Sequence, residues 1–433
     1  MRQVIITALL CLVVICSFAQ KTNKLADTSL LQPVELTAVR AADKTPVAKT
    51  DLSRSEIAKN NNGQDLPFIL NQTPSVVVNS DAGNGIGYTG IRIRGTDASR
   101  INVTVNGIPY NDAESQGTFF VDLPDIASST GSIQIQRGVG TSTNGAGSFG
   151  GTINLSTNDI ITKRSLEFNN SFGSYRSMKN TLILNSGLLA KHFTVDARLS
   201  NVQSDGYIER ASSKLRSYFI STAYIDTKNS LRVNIFSGKE RTYQAWNGVS
   251  ETSLDTNRRY NSAGTEKPGE PYENEVDNYT QTHYQFFYNH KFSNYLKANI
   301  AAFLTRGKGY YEQYKASETL ADYGLSDYDN GTTIISETDL SRRLWLDNYF
   351  YGTVFSLQYQ RNKTSIIAGG GWNSYDGNHY GEIIWAKEQA AVPHNYRWYD
   401  LTAYKNDVSG YTKWTQRIAN NWQTFVDLQL RSV

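Results

Sequence analysis

Ile91-Arg92-Ile93-Arg94-Gly95, Ile101-Asn102-Val103-Thr104-Val105-Asn106-Gly107 and Ile133-Gln134-Ile135-Gln136-Arg137-Gly138 share one pattern. Apolar and polar residues alternate over a few positions, and a glycine ends each run. Alternation with period two puts every second side chain on one face, so each run reads as a short strand with one buried side. Asn106-Gly107 is a strong tight-turn signal, because both residues accept positive φ.

Working outward, Val76-Val77-Val78 is another β-run. Ser142 to Gly151 is rich in Gly, Ser and Asn, and Thr152-Ile153-Asn154-Leu155 forms a last short strand. Upstream, Asp51 to Asn60 reads as a short helix with Ser53 or Ser55 as cap. Asp65 to Gln72 suggests another helical turn, ended by Thr73-Pro74. The runs have no fixed period, which argues for a compact α+β domain and against a solenoid.

After about Asp159 the strands lengthen. Phe193, Val195, Ala197 and Leu199 alternate with Thr194, Asp196, Arg198 and Ser200; Leu231, Val233 and Ile235, then Leu296, Ala298, Ile300, Ala302 and Leu304, repeat the pattern. Trp422, Val426, Leu428 and Leu430 continue it near the end. Strands of about ten residues, apolar on one side and polar on the other, are what a membrane barrel requires. Short turns near 187–191, 226–229, 292–294, 361–363 and 419–421 alternate with longer polar segments near 203–213, 247–277, 309–340 and 377–406. That asymmetry matches short periplasmic turns and longer extracellular loops. About eleven strands are expected, and since an open edge is not tolerated in lipid, the sequence reads as a truncated barrel.

The first residues are a targeting segment. Met1-Arg2 is positive, Val4 to Ile15 is apolar, and Ser17-Phe18-Ala19 offers a cleavage site, giving a signal peptide over 1–19. Both cysteines, Cys11 and Cys16, lie inside it, so the mature chain forms neither a disulfide nor a thiolate metal site. The net charge of +3 on 433 residues is too mild to argue for nucleic acid. Charged residues make up only 19% and aromatics 12%, with 27 Tyr, a balance that suits β-structure with polar loops rather than a helical bundle. The five His show no metal-site spacing. Gly85-Ile86-Gly87-Tyr88-Thr89-Gly90 spells a dinucleotide fingerprint, but an alternating strand follows it where a helix should open. Neither a nucleophile elbow nor a phosphate loop is present, so an enzyme is not expected, and neither a cofactor nor a bound metal.

Leu70-Asn71-Gln72-Thr73-Pro74-Ser75-Val76, Ile91 to Gly95, Val105-Asn106-Gly107-Ile108-Pro109, Ile133 to Gly138 and Gly145-Ala146-Gly147-Ser148-Phe149-Gly150-Gly151-Thr152-Ile153-Asn154 together closely resemble the plug of TonB-dependent outer-membrane receptors. Ser75 stands where that family usually has Gly, and Asn106 where Asp is commoner. The resemblance implies a leader with a TonB box within 20–45, a plug over 46–157 and part of a 22-stranded β-barrel over 160–433. It further implies import of a scarce nutrient across the outer membrane, powered by the partner TonB. A ferric siderophore or ferric citrate is the first expectation for the cargo; cobalamin or a glycan is the alternative within the class, and a passive adhesin or porin the alternative outside it.

By the same resemblance, Val34, Glu35, Leu36, Thr37, Ala38 and Val39 look like the TonB box, an extended peptide that adds to a sheet edge of its partner. Arg94 and Arg137 match arginines that hold the plug to barrel-wall carboxylates, a planar pairing suited to guanidinium. Ligand contacts are expected from the plug apices, at Asn84, Tyr88, Tyr110, Asn111, Glu114 and Gln116. The segment 377–406 adds His379, His394 and Trp398, with packing of a long loop as the other reading of its aromatics.

Overall fold

The computed structural model describes residues 38–142, 144–145, 149–419 and 422–433. The expected signal peptide, and Val34, Glu35, Leu36 and Thr37 of the expected box, lie outside the described residues.

The first domain opens with β1 (Lys49–Ser53), α1 (Arg54–Asn60) and α2 (Leu66–Leu70). Ser53 caps α1: its hydroxyl and amide both meet the Glu56 carboxylate, a reciprocal capping box. Asp65 caps α2, and a proline falls in the first turn, where a missing N–H costs nothing. Then follow β2 (Val76–Ser80), β3 (Thr89–Ile93), β4 (Ile101–Val105), β5 (Ile108–Pro109), β6 (Ser132–Arg137) and β7 (Gly151–Ser156). One sheet has the order β1-β6-β7-β4-β5, with β4 and β7 parallel; β2 and β3 form a separate hairpin. Asn106 (φ 57°) and Gly107 (φ 79°) both take the left-handed region, so the two-residue turn read from the sequence closes β4 on β5. Ile93, Ile101, Val103, Ile133, Ile135, Ile153 and Leu155 fill the core between helices and sheet.

The second region contains β8 (Arg164–Gly173), β9 (Ser177–Ser186), β10 (Phe193–Ser204), β11 (Ser213–Ile225), β12 (Asn229–Tyr243), β13 (Val276–Lys291) and β14 (Leu296–Thr319). A small hairpin of β15 (Tyr328–Asp329) and β16 (Ile334–Ile335) precedes β17 (Glu337–Arg361), β18 (Thr364–Ala386), β19 (Tyr396–Arg417) and β20 (Gln423–Ser432). All but the small hairpin join one 11-stranded sheet of sequential antiparallel neighbours. Its burial is inverted relative to a soluble protein. In β10 Thr194, Asp196, Arg198 and Ser200 are buried while Val195 and Leu199 are exposed. The polar face turns in toward the first domain and the apolar face turns out, as lipid contact demands. Exposed Phe292, Tyr295 and Trp422 cluster at the short-turn ends, where interfacial aromatics belong. Among the described residues no helix is long and apolar enough to cross a membrane.

Two parts of the expected loop plan are corrected. The segment 377–406 is mostly strand: β18 runs to Ala386 and β19 restarts at Tyr396, with Gly377 paired to Ala403 and His379 to Leu401. Likewise β14 continues to Thr319 and β17 begins at Glu337. The ladder continues past the apolar band, where neither face needs to be greasy, so hydrophobic alternation fades before the hydrogen bonding does.

The plug packs into the concave side of this sheet. Phe219 and Phe236 of the wall join the plug core. Gly238 permits the closest approach: a Cβ there would stand 2.1 Å from the Asp122 carbonyl and 2.6 Å from Pro124.

Candidate functional site

Asp125 is the charged link between plug and wall. Its carboxylate meets Lys179 Nζ at 2.8 Å and Arg198 at 3.5 Å, and it accepts from Thr181 (2.6 Å) and Ser200 (2.8 Å) of the wall and from Ser128 (2.6 Å) of the plug. The Asp125 side chain is only 1% exposed. Burial works against its charge, but Arg198 and Lys179 outweigh that and hold the carboxyl well below its ordinary range. Asn106 makes a second link, donating to Thr157 (2.8 Å) of the plug and Gln285 (3.0 Å) of β13. The sequence reading missed both.

The expected arginine contacts take other partners. Arg137 donates to the Pro74 carbonyl (3.3 Å) inside the plug, and Arg94, at φ 53°, brings its guanidinium beside Gly138. Among the described residues neither forms an ion pair with a barrel carboxylate; here the plug supplies the carboxylate and the wall the cations.

Above these anchors lies a cavity of about 410 Å³ between the plug apex and the wall, inside the size range of small-molecule sites. The plug contributes Tyr88, Tyr110, Asp112, Glu114, Phe119 and Asp122. The wall contributes Glu240, Trp246, Asp277, Tyr279, Tyr311 and Tyr375. The Tyr88 hydroxyl lies 2.6 Å from Asp277 Oδ2 and 3.1 Å from Glu240 Oε1, and its ring meets Trp246 edge-on. Tyr110 donates to the Phe119 carbonyl (2.9 Å). Glu114 pairs with His379 Nε2 at 3.0 Å, and Lys405 donates to the Ala113 carbonyl (2.6 Å), so β18 and β19 hold the 112–116 loop from the side. Asp112 caps that loop by accepting from the amides of Glu114 and Ser115. Among the described residues no group of His, Cys, Asp and Glu is arranged to hold a bare metal ion.

Several expected contacts are relocated. Asn111 is buried: it accepts from the Val103 amide (2.7 Å) and donates to the carbonyls of Ile101 and Gln116, so it braces the loop from inside. Gln116, at φ 61°, turns back onto Ala113. Asn84 bonds Ser177 and Ser204 of the wall, outside the cavity lining. His394 is exposed in the connection after Ala386, and Trp398 packs edge-on to Tyr323 against a small core of Leu320, Leu340 and Ile383. Packing of this aromatic segment is therefore the reading the structure supports. Tyr88, Tyr110 and Glu114 do reach the cavity, and His379 reaches it through Glu114. Sequence reasoning missed Asp122 and the whole wall side of the cavity, where no motif singles these residues out.

Ala38 and Val39, the last two positions of the expected box, are helical and buried instead of extended. The Ala38 carbonyl accepts from Lys413 Nζ of β19 (2.8 Å), and the Val39 carbonyl from Gln136 (3.4 Å). Apolar side chains take cover, and the freed carbonyls find one donor on the wall and one on the plug.

Residues 41–152 match the family described as TonB-dependent Receptor Plug Domain. Residues 41–152 are thus a TonB-dependent receptor plug, and a partial barrel follows it. The chain's fold matches the ferric-catecholate import receptor Fiu from E. coli K12 (TM-score 0.61, 14% identity), with 89% of this chain and 60% of that one covered. It also matches the ferripyoverdine receptor of the outer membrane of Pseudomonas aeruginosa bound to ferripyoverdine (TM-score 0.64, 12% identity; 92% and 53%). The copper transporter OprC is a further match (TM-score 0.63, 12% identity; 88% and 55%). The chain thus spans at most about three fifths of these solved relatives. Comparison with curated protein sequences found no match. The outward apolar face of the sheet belongs in the outer membrane.

Proposed function

We propose that this receptor imports a scarce nutrient by TonB-dependent active transport. The observation that carries the reading is the plug seated against the barrel wall, with an aromatic-walled cavity above it and the end of a box-like segment below. Cargo binds between the plug apex and the wall. The segment Val34 to Val39 becomes available and pairs with TonB as an added strand. Force transmitted from the inner membrane then shifts the plug enough to release cargo inward. The role is that of a carrier, not of a catalyst.

For cargo we propose a metal chelate, iron first. Support comes from the solved relatives, which include receptors described as importing or binding ferric catecholate and ferripyoverdine, and a copper transporter. The test is growth of a strain lacking this receptor with a single iron source supplied at a time. Loss of growth on one chelate, restored by the gene in trans, is the expected result. Unchanged growth on every iron source, with loss on cobalamin or a glycan, would replace the iron reading.

A further inference from the structure

The cavity at the plug apex has an unusual charge balance for a site expected to take an iron chelate. Asp112, Glu114, Asp122, Glu240 and Asp277 line it, and among the described residues its lining holds no Lys, Arg or His. Four of these carboxylates have partners: Asp112 in its own loop, Glu114 on His379, and Glu240 and Asp277 on the Tyr88 hydroxyl. Asp122 is different. It is 6% exposed, lines the cavity, and among the described residues has no side-chain hydrogen-bond or ion-pair partner. Without a partner the carboxyl keeps its proton in the empty cavity, and a ligand that brings positive charge or N–H groups favours the carboxylate form. Burial pushes Asp122 well above the ordinary carboxyl range, and Asp277, Asp112 and Asp65 push it further the same way. The remaining wall is aromatic, with Tyr88, Trp246, Tyr311 and Tyr375 presenting ring faces and edges. Aromatic faces attract organic cations. An anion such as ferric citrate would find no guanidinium or ammonium in the described lining to pair with, whereas a cation can draw the proton off Asp122 and pair with the carboxylate left behind.

We propose, building on the import reading, that this cavity selects cargo presenting a positively charged group, such as a chelate with a free ammonium, and discriminates against anionic chelates. Asp122 is the residue that receives the cation. The carboxylates are not arranged to hold a bare ion, so the charge belongs to an organic group or an intact complex.

The test is equilibrium binding to the full receptor purified in detergent, which does not depend on TonB or on transport. The probes are matched pairs: a ferric trihydroxamate with a terminal ammonium and the same complex succinylated to a carboxylate, and a set of aromatic amines with their N-acylated forms. The cationic member of at least one pair should bind about tenfold or more tighter than its partner, a preference that weakens with salt. Asp122→Asn should lower that affinity about tenfold and leave anion binding unchanged, while Asp122→Glu retains most of it. Tighter binding of the anionic members, no binding by any cationic member, or a D122N receptor with undiminished cation affinity would each overturn the proposal. Failure of import with cation-selective binding intact would count against the transport reading alone.

Discussion

Lys179 Nζ of barrel strand β9 lies 2.8 Å from Asp125 Oδ1 of the plug, and both side chains are almost fully buried. With Arg198 on the other carboxylate oxygen, this pair is the charged anchor between the two parts of the receptor. Removing one partner leaves a buried charge uncompensated. Asp125→Ala should therefore destabilise the plug by about 3 kcal/mol, read as a lower thermal transition and faster proteolysis of the plug. Because the folded carboxyl is held low, its contribution is present above the ordinary carboxyl range and is lost only as pH falls through the depressed value. Acidification to mildly acid pH should leave the anchor intact.

Asp65 predicts the opposite slope. Its side chain accepts from Thr89 (3.1 Å), and burial raises it to about 8. In the folded plug it keeps its proton where the unfolded chain has lost one, so stability from this group falls as pH rises from about 4 to about 8. Asp65→Asn should remove that falling limb, gaining stability at pH 8 and little at pH 5, in paired melts.

Lys413 donates to the Ala38 carbonyl from β19. Lys413→Met removes the donor to the Ala38 carbonyl without removing much volume. The chain has no cysteine after Cys16, so an Ala38→Cys probe reports exposure directly. Its labelling rate should rise about tenfold in the Lys413→Met background, the opening expected for loss of one buried charge-assisted hydrogen bond. An unchanged rate would mean that Lys413 does not hold the segment.

Trp398 separates packing from ligand contact. Trp398→Ala should loosen the small core around Tyr323 and Leu340 by about 2 kcal/mol, seen as faster hydrogen exchange in residues 320–340. Affinity for cargo should change less than twofold, because the indole stands outside the cavity lining.

How far the sequence carried differs between the two regions for a physical reason. Short strands such as Ile101–Val105, and membrane strands such as Phe193–Ser204, announce themselves because one face is apolar and the other is not. The Asn106-Gly107 turn was equally legible, since its backbone needs residues that accept positive φ. Above the membrane band Gly377–Ala386 and Tyr396–Asn406 still pair, yet both faces carry polar and aromatic groups, and the periodic signal vanishes. The anchor at Asp125 depends on Lys179 and Arg198, which come together only when the wall curves around the plug. Asp122 was hidden for the same reason: Gly238 of β12 and the loop around Pro124 approach one another only in the fold. Tyr88 and Glu114 were readable because they sit at apices of the plug, but their carboxylate and histidine partners on the wall were not.

We propose that transport runs through the segment Val34 to Val39. The most direct measurement is uptake of a radiolabelled metal chelate by cells carrying the full receptor, compared with cells carrying the same receptor lacking residues 34–39, with surface binding measured in parallel. Deletion should abolish energy-dependent uptake while binding at the outer surface persists. Undiminished uptake by the deleted receptor would contradict the proposal.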